Sequence, residues 1–364
     1  MNDEFYIRRT LKLAAKTRGM TSPNPMVGAL IVKNGIIIAE DFHRKPGTPH
    51  AEVLAIKKAG EKTKGSALYI NLEPCCHTEK RTPPCTRAII NAGIKQVFIG
   101  MSDPNPKVSG KGILELRNSG IYVKSGILEN EAKKLNESYI KYITTGKPFV
   151  ILKIAMTLDG KIATPEGQSK WITGEKARKK VHRMRSSVDA IITAIGTVTA
   201  DDPQLTARIK GGKNPRRIVI DPDLKIPIKA KILQIPPETI IVAKKSAVSN
   251  QQSAVKEKKL TDRGIQIIMY EGERINLDWL MKRLGEMEIS SVLIEGGASL
   301  NSYALEDGIV DKVMFFISPM IIGGEKSFPA IGGKTFKKLE EAYRVKDLKI
   351  KRVGEDLLIE GYIK

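Results

Sequence analysis

Cysteine is scarce in this chain of 364 residues: there are three, all between Cys75 and Cys85. So few, placed so close together, exclude a disulfide framework and point to a metal-binding or catalytic role in a reducing compartment. Aromatic residues make up only 5%, which leaves few platforms for stacking single-stranded nucleic acid. No apolar run approaches the length of a membrane span, and the opening MNDEFYIRRT is charged, unlike a secretory signal. The expectation is a cytoplasmic protein that engages neither membrane nor nucleic acid. A G-x-G-x-x-G motif is missing as well, so a Rossmann dinucleotide domain is not supported. No internal repeat or low-complexity tract is visible.

Positive charge is what the chain has in excess, with a formal net charge of +21. Lys and Arg are scattered along its length, with only short knots such as Lys256 to Lys259. That distribution reads as a lysine-rich surface first, and as attraction for a phosphorylated small molecule second. Hydrophobic residues at 41% and charged residues at 28% are values of a soluble globular enzyme, and the length suits two domains.

The pattern divides accordingly. Residues 4–20 have helical spacing, and Gly19 with the TSPNP segment ends that run. In VGALIVKNGIIIAED the Asn34-Gly35 pair is a strong hairpin signal. HAEVLAIKKAG reads as a helix, ALYINLEP as a strand and PPCTRAIINAG as a helix. QVFIGMSD is again a strand, and KGILELRNSG a helix before IYVKSGI. Strands alternating with helices give an α/β layered domain over residues 1–146. KYITTGKP breaks the pattern, with Lys147-Pro148 as the linker. A second α/β domain, 147–364, carries apolar runs at FVILKIAMTLDGKIA, DAIITAI, RIVIDP, TIIVAKK, IQIIMY, SVLIEGG, KVMFFISPMII and EDLLIEGYI. Helical stretches such as EKARKKVHRMRSS and LDWLMKRLGEM lie between them.

A hydrolytic zinc needs three protein ligands and an open position for water. One imidazole and two thiolates neutralise the dication and leave coordinated water acidic enough to ionise near neutral pH. A carboxylate then carries protons to the ring nitrogen and the departing amine. The sequence offers His50 and Glu52 at the opening of a helix, Pro74-Cys75 after a strand, and Pro84-Cys85 opening the next helix. This is the H-x-E with P-C arrangement of zinc nucleobase deaminases, except that nine residues, not two, separate the cysteines. His50 as a simple helix cap, with the cysteines as buried apolar fillers, is the bland alternative. Cys76 is open to either a packing or a ligand role.

On these residues the whole chain resembles the bifunctional riboflavin-biosynthesis deaminase–reductase family. Its phrases NPxVGxxxV, GxPHAE and EPCxHxGRTPPC correspond here to Asn24-Pro25-Met26-Val27-Gly28, Gly47-Thr48-Pro49-His50-Ala51-Glu52, and Glu73-Pro74-Cys75-Cys76-His77 running to Arg81-Thr82-Pro83-Pro84-Cys85. One residue is added between His77 and Arg81. The resemblance implies an N-terminal cytidine-deaminase-like three-layer α/β/α domain, zinc held by His50, Cys75 and Cys85, and Glu52 as proton shuttle. It also implies substrate contacts at Asn24, His43 and His77. The implied substrate is a diamino-pyrimidinone ribosylamine phosphate, deaminated at its exocyclic amine.

KIAMTLDGKIAT, SKWITG, GTVTADDPQLTAR and IEGGASL extend the resemblance into the second half. They imply a dihydrofolate-reductase-like α/β domain that uses NADPH to reduce the ribosyl group to a ribityl chain. Matching positions imply cofactor contacts at Ala155, Trp171, Thr197, Asp201, Gly297, Ala298, Ser299 and Leu300. They imply substrate contacts at Ser169, Arg185, Leu205, Arg208 and Glu295, with Lys153 as a further polar contact. Physically, Gly296-Gly297 between a strand and a helix would present backbone N–H groups and the helix dipole to a phosphate, although an ordinary tight turn reads the same way. Arg185 and Arg208 suit a fork around the substrate phosphate. Asp201-Asp202-Pro203 reads as a capped turn rather than a metal site. The family suggests a dimer or tetramer built through the reductase domains.

Two other functions fit parts of the sequence. A tRNA-type base deaminase would account for the basic charge and the zinc motif, but not for the long inter-cysteine segment or the C-terminal phrases. A structural zinc module would close its site with a fourth protein ligand, for which Cys76 and His77 are available.

Overall fold

Asn34 and Gly35 both take positive φ, 50° and 74°, as a two-residue hairpin turn matched to strand twist requires. They join β1 (Gly28–Lys33) to β2 (Ile36–Phe42). β1 pairs on its other edge with β3 (Ala67–Leu72), also antiparallel, while β3, β4 (Gln96–Met101) and β5 (Tyr122–Lys124) run parallel, giving the order β2-β1-β3-β4-β5. This computed structural model describes residues 2–77, 83–333 and 336–363, which fall into two compact units, Met1–Lys147 and Pro148–Lys364.

In the first unit the period of two sorts side chains to opposite faces. Ala29 and Ile31 join a core with Ala51 and Ala55 of α2 (Ala51–Ala59), Ile89 of α3 (Cys85–Asn91) and Ile113 of α4 (Lys111–Asn118). Leu30 and Val32 pack instead with Tyr6, Ile7 and Leu13 of α1 (Asp3–Ala14). The result is the expected three-layer α/β/α arrangement. α1 stops at Ala14 and continues only as a 3₁₀ turn to Thr17, short of the predicted end. Two further helices, α5 (Glu129–Leu135) and α6 (Glu137–Thr145), follow β5 where the sequence reading named no element, and the end of α6 runs into the KYITTGKP stretch read as a break. Asn136 between them bonds both ways to Met26: Met26 N–H donates to its Oδ1 at 2.8 Å and its Nδ2 donates to the Met26 carbonyl at 3.1 Å.

The second unit contains β6 (Phe149–Thr157), β7 (Lys161–Ala163), α7 (Glu175–Ser187), β8 (Ala190–Ala194), α8 (Ile195–Asp201), β9 (Arg216–Ile220), β10 (Thr239–Lys244), α9 (Gln251–Thr261) and β11 (Gln266–Tyr270). It continues with α10 (Leu277–Glu286), β12 (Ser291–Ile294), α11 (Ala298–Glu306), β13 (Lys312–Ser318), β14 (Phe328–Pro329), β15 (Val345–Val353) and β16 (Asp356–Ile363). Nine strands form one sheet, β11-β10-β9-β8-β12-β6-β13-β16-β15. It is parallel through β13 and antiparallel at its last two strands. Helices cover both faces of the parallel part, with Val150, Leu152 and Ile192 in one core and Ile191, Val219, Ile241 and Leu293 in the other. Burial on two sides is why these strands read as unbroken apolar runs. β15 and α9 were not apparent in the sequence; β15 is exposed almost throughout, and its pairing slips between Lys346 and Lys349. Among the described residues no helix is long and apolar enough to cross a membrane.

Candidate active sites

His50 stands at the N-cap of α2 with extended backbone, Glu52 lies in the first turn of that helix, and Cys85 is the first residue of α3. Cys75 follows β3, and its carbonyl accepts from the N–H groups of Cys85 and Thr86 at 2.9 and 3.3 Å. The backbone itself thus brings the two cysteines together across the nine-residue gap. The Sγ atoms of Cys75 and Cys85 lie 3.5 and 3.2 Å from His50 Nδ1, and the three donor atoms all fall within 4.8 Å of one another. A tetrahedral zinc with the usual bond lengths places sulfur and nitrogen about 3.6 Å apart, so the donor set fits that ion in identity and spacing.

Glu52 is 2% exposed. Burial pushes its carboxyl above the ordinary glutamate range, opposed by the neighbouring His50, and its buried Oε2 has no hydrogen-bond partner among the described residues. An orphaned carboxylate oxygen beside a donor cluster is what a site built for another reactant would show. Cys76 stands apart: its Sγ is 4.0 Å from the Lys107 carbonyl, and it does not belong to the donor group.

His43 is buried, its ring 5.2 Å from that of His50 in edge-on contact. Its Nδ1 lies 3.3 Å from the Pro49 carbonyl, so that nitrogen donates and Nε2 accepts from Asn24 Nδ2, also at 3.3 Å. Burial, the largest influence, lowers the His43 pKa and favours this neutral form. Asn24 and His43 therefore stand together beside the metal cluster. The loop bearing Asn24 is fixed by Asn71, whose Oδ1 accepts from Gly28 N–H at 2.8 Å and whose Nδ2 donates to the Met26 carbonyl at 2.9 Å. A Cβ on Gly28 would lie 2.4 Å from the Thr10 carbonyl oxygen, so glycine is needed there. His77 is half-buried beyond Cys76; residues 78–82, including Arg81 and Thr82 of the motif and the added residue, lie outside the described residues.

In the second unit Glu295 follows β12 and is buried. Arg185 of α7 meets it with two parallel bonds, Nε to Oε1 at 2.7 Å and Nη2 to Oε2 at 2.9 Å, and Lys153 of β6 adds a third contact at 3.4 Å. Burial alone would raise the Glu295 pKa, but Arg185 and Lys153 outweigh it and hold the group at about 2. Ala155 is two residues along β6 from Lys153, on the same face.

The two arginines do not make the expected open fork. Both reach Thr206, Arg185 through the carbonyl at 3.3 Å and Arg208 through Oγ1 at 3.3 Å. Arg185, however, commits its Nε–Nη2 edge to Glu295, whereas among the described residues Arg208 is otherwise bonded only to Gln204, at 3.0 Å. Asp202, Leu205 and Arg208 all carry positive φ (40°, 51° and 48°), a clustering of non-glycine strain found at functional segments. Ser169 donates to Asp201 at 3.3 Å, and Lys170 pairs with the same carboxylate at 3.3 Å. Trp171 is 66% exposed with Arg178 over its ring, and Thr197 lies in α8. Gly297 caps α11 with extended backbone and no side-chain bond to the helix, which leaves the N–H groups of Ala298, Ser299 and Leu300 facing outward from the helix end. A Cβ on Gly296 would meet Leu300 at 2.6 Å. Asp202 caps a turn, its carboxylate accepting from Lys231 N–H at 2.8 Å. A cavity of about 520 Å³ elsewhere in this unit, lined by Leu305, Phe315, Tyr343 and Val345 among others, contains none of these residues.

The sequence reading gave no role to Glu73, Asn71, Asn136, Asp103 or Tyr139. Tyr139 donates to buried Asp103 at 2.8 Å, and burial pushes Asp103 up to about 6. Glu73 carried a visible signal, since it directly precedes Pro74-Cys75.

An α/β/α unit with a His–Cys–Cys cluster at two helix ends, joined to a parallel-sheet unit, defines a zinc deaminase coupled to a reductase. Residues 1–101 match the cytidine and deoxycytidylate deaminase zinc-binding region, and residues 148–359 match the RibD C-terminal domain. The riboflavin biosynthesis protein RibD of Aquifex aeolicus is 44% identical over 98% of this chain and 97% of its own, and that of Actinobacillus pleuropneumoniae 42% over 99% and 95%. Acinetobacter baumannii RibD (form 1) superposes with a TM-score of 0.89 at 36% identity, covering 100% of this chain and 99% of its own. The Thermotoga maritima protein, a diaminohydroxyphosphoribosylaminopyrimidine deaminase/5-amino-6-(5-phosphoribosylamino)uracil reductase, superposes with 0.86 at 37% identity and the same coverage. The chain belongs to the RibD family: it is a bifunctional riboflavin biosynthesis enzyme with a zinc-binding deaminase domain and an NADPH-dependent reductase domain.

Proposed function

We propose that residues 1–146 hydrolytically deaminate 2,5-diamino-6-ribosylamino-4(3H)-pyrimidinone 5′-phosphate. Residues 147–364 then reduce the ribosyl group with NADPH to give 5-amino-6-ribitylaminouracil 5′-phosphate. The observation that carries this reading is the His50–Cys75–Cys85 cluster, with a Glu52 oxygen beside it that has no partner among the described residues. His50, Cys75 and Cys85 would hold zinc, which would supply Lewis acidity toward water at this site. Glu52, whose protonated form burial favours, moves the proton to the ring nitrogen and on to the leaving amine. Asn24 and the neutral His43 orient the pyrimidine edge, and His77 contacts a polar substituent.

In the reductase unit a bound NADPH would supply hydride chemistry at the sugar carbon bearing the amine. Glu295, kept ionised by Arg185 and Lys153, accepts hydrogen bonds from substrate hydroxyls, and Arg208 binds the phosphate. Leu205 and Ser169 complete the substrate wall. Ala155, Trp171, Thr197, Asp201 and the Gly297–Leu300 helix start hold the cofactor. The protein works in the cytoplasm as a homo-oligomer built through the reductase units, for which the exposed apolar residues Leu348 and Ile350 on edge strand β15 speak.

The test follows ammonia release and NADPH oxidation together on the diamino-pyrimidinone phosphate. Glu52→Gln should keep zinc, release no ammonia, and still reduce substrate that is already deaminated. Ammonia release at the wild-type rate would overturn the assignment of Glu52, and loss of both activities would overturn independent sites.

A further inference from the structure

No residue of α4 belongs to the metal cluster, yet two separate ties join that helix to the segments bearing the cysteines. We propose that α4 is a bracket that sets the separation of the Cys75 and Cys85 thiolates, through Glu73 on one side and the Thr86–Glu115 pair on the other. The proposal rests on the zinc reading above.

Glu73 is 3% exposed and lies two residues before Cys75. Its Oε2 accepts from the N–H groups of Asp103 at 3.1 Å and Gly110 at 3.0 Å, and its Oε1 from that of Ile113 at 3.1 Å. Gly110 is the N-cap of α4 and Ile113 is in its first turn, so a carboxylate from another segment caps this helix. Bonds from backbone N–H to a carboxylate are charge-assisted; the two from Gly110 and Ile113 hold Glu73-Pro74-Cys75 against α4, and the third, from Asp103, ties it to the segment after β4. The approach is so close that a Cβ on Gly112 would lie 2.2 Å from the Pro74 carbonyl oxygen.

On the other side Thr86, fully buried, donates from Oγ1 to Glu115 Oε2 at 2.9 Å. Thr86 follows Cys85, and both residues donate their N–H groups to the Cys75 carbonyl. One rigid helix therefore fixes the backbone of each thiolate, and a pair held at the right spacing loses little freedom when the ion arrives. Glu73 and Thr86 are positioning residues: they act on the metal through its ligands.

Glu73→Gln keeps the side-chain shape but turns an amide NH₂ toward a backbone donor; Thr86→Val keeps the shape and removes the hydroxyl; Thr86→Ser restores it. On the full-length protein, zinc affinity is measured by competition with a chromophoric chelator, and cobalt(II) is substituted to read the thiolate charge-transfer bands. Each disruptive variant should bind zinc roughly 10- to 100-fold more weakly with altered cobalt bands. Thr86→Ser should recover both, and reductase activity should stay unchanged. Folded variants with zinc affinity within about twofold of wild type and unaltered cobalt bands overturn the bracket alone. If Glu73→Gln does not fold, Thr86→Val decides by the same criteria. A wild-type protein that binds no zinc, or whose binding survives Cys75→Ser and Cys85→Ser, overturns the zinc reading and the bracket with it.

Discussion

Replacing Arg185 by methionine would keep much of the side-chain volume while leaving Glu295, among the described residues, with Lys153 as its ion-pair partner, 3.4 Å away. The cost follows from the carboxylate itself. An ordinary glutamate titrates at 4.5, and Glu295 is held at about 2, a difference worth about 3 kcal/mol in favour of the ionised folded form. Breaking a buried pair from one side costs about 3–5 kcal/mol in general. Because the folded pKa is depressed, the wild-type contribution is complete above pH 4.5 and is lost only as pH falls from there toward 2. In the variant, burial acts with less opposition and raises the Glu295 pKa, so the folded variant takes up a proton more readily and regains stability on acidification. Scanning calorimetry, with the reductase transition identified by its upward shift with NADPH, should show Arg185→Met melting roughly 6–12 °C below wild type at pH 7.5. The gap should narrow toward pH 5. A variant melting within about 2 °C of wild type, or a gap that widens with acid, refutes the ion-pair reasoning.

Gly28→Ala should lower the melting temperature of the deaminase unit, because the new Cβ would sit 2.4 Å from the Thr10 carbonyl oxygen; overpacking of this kind costs about 1–3 kcal/mol. A melting curve superimposable on wild type would show that α1 and β1 separate more easily than their packing indicates. Arg208→Ala should raise the reductase KM for its phosphorylated substrate roughly 10- to 100-fold and leave NADPH affinity in place. An unchanged KM removes Arg208 from the phosphate site.

Much of the fold was legible because local chemistry and burial agreed. Asn34-Gly35 named its own turn, and the parallel strands declared themselves as apolar runs. What escaped were elements whose burial is thin or interrupted. α5 and α6 are short, and the side chain of Asn136 at their junction is engaged with distant Met26; yet Ala132 and Tyr139 do keep a buried stripe. β15 alternates imperfectly because its register slips at Lys346–Lys349. At the sites, residue types betrayed the metal cluster, since imidazole, thiol and carboxylate at helix starts have few other uses. The engagement of Arg185 by Glu295 was not legible, as 110 residues separate them. Cys76, ambiguous in sequence, is separated from its neighbour by the direction of its side chain toward Lys107.

The bonds from the Cys75 carbonyl to the N–H groups of Cys85 and Thr86 close the intervening segment into a tied-off loop. Once the ends of a loop are pinned, its length matters only logarithmically. Lengthening it from eight to nine residues, as the family phrase compared with this sequence implies, changes the closure entropy by about 0.1 kcal/mol. Evolution can therefore insert residues between these two ligands at almost no thermodynamic penalty. Cysteine spacing is then a poor ruler for sorting such deaminases by descent, whereas the carbonyl clasp that pins the ends cannot drift without moving the ligands themselves.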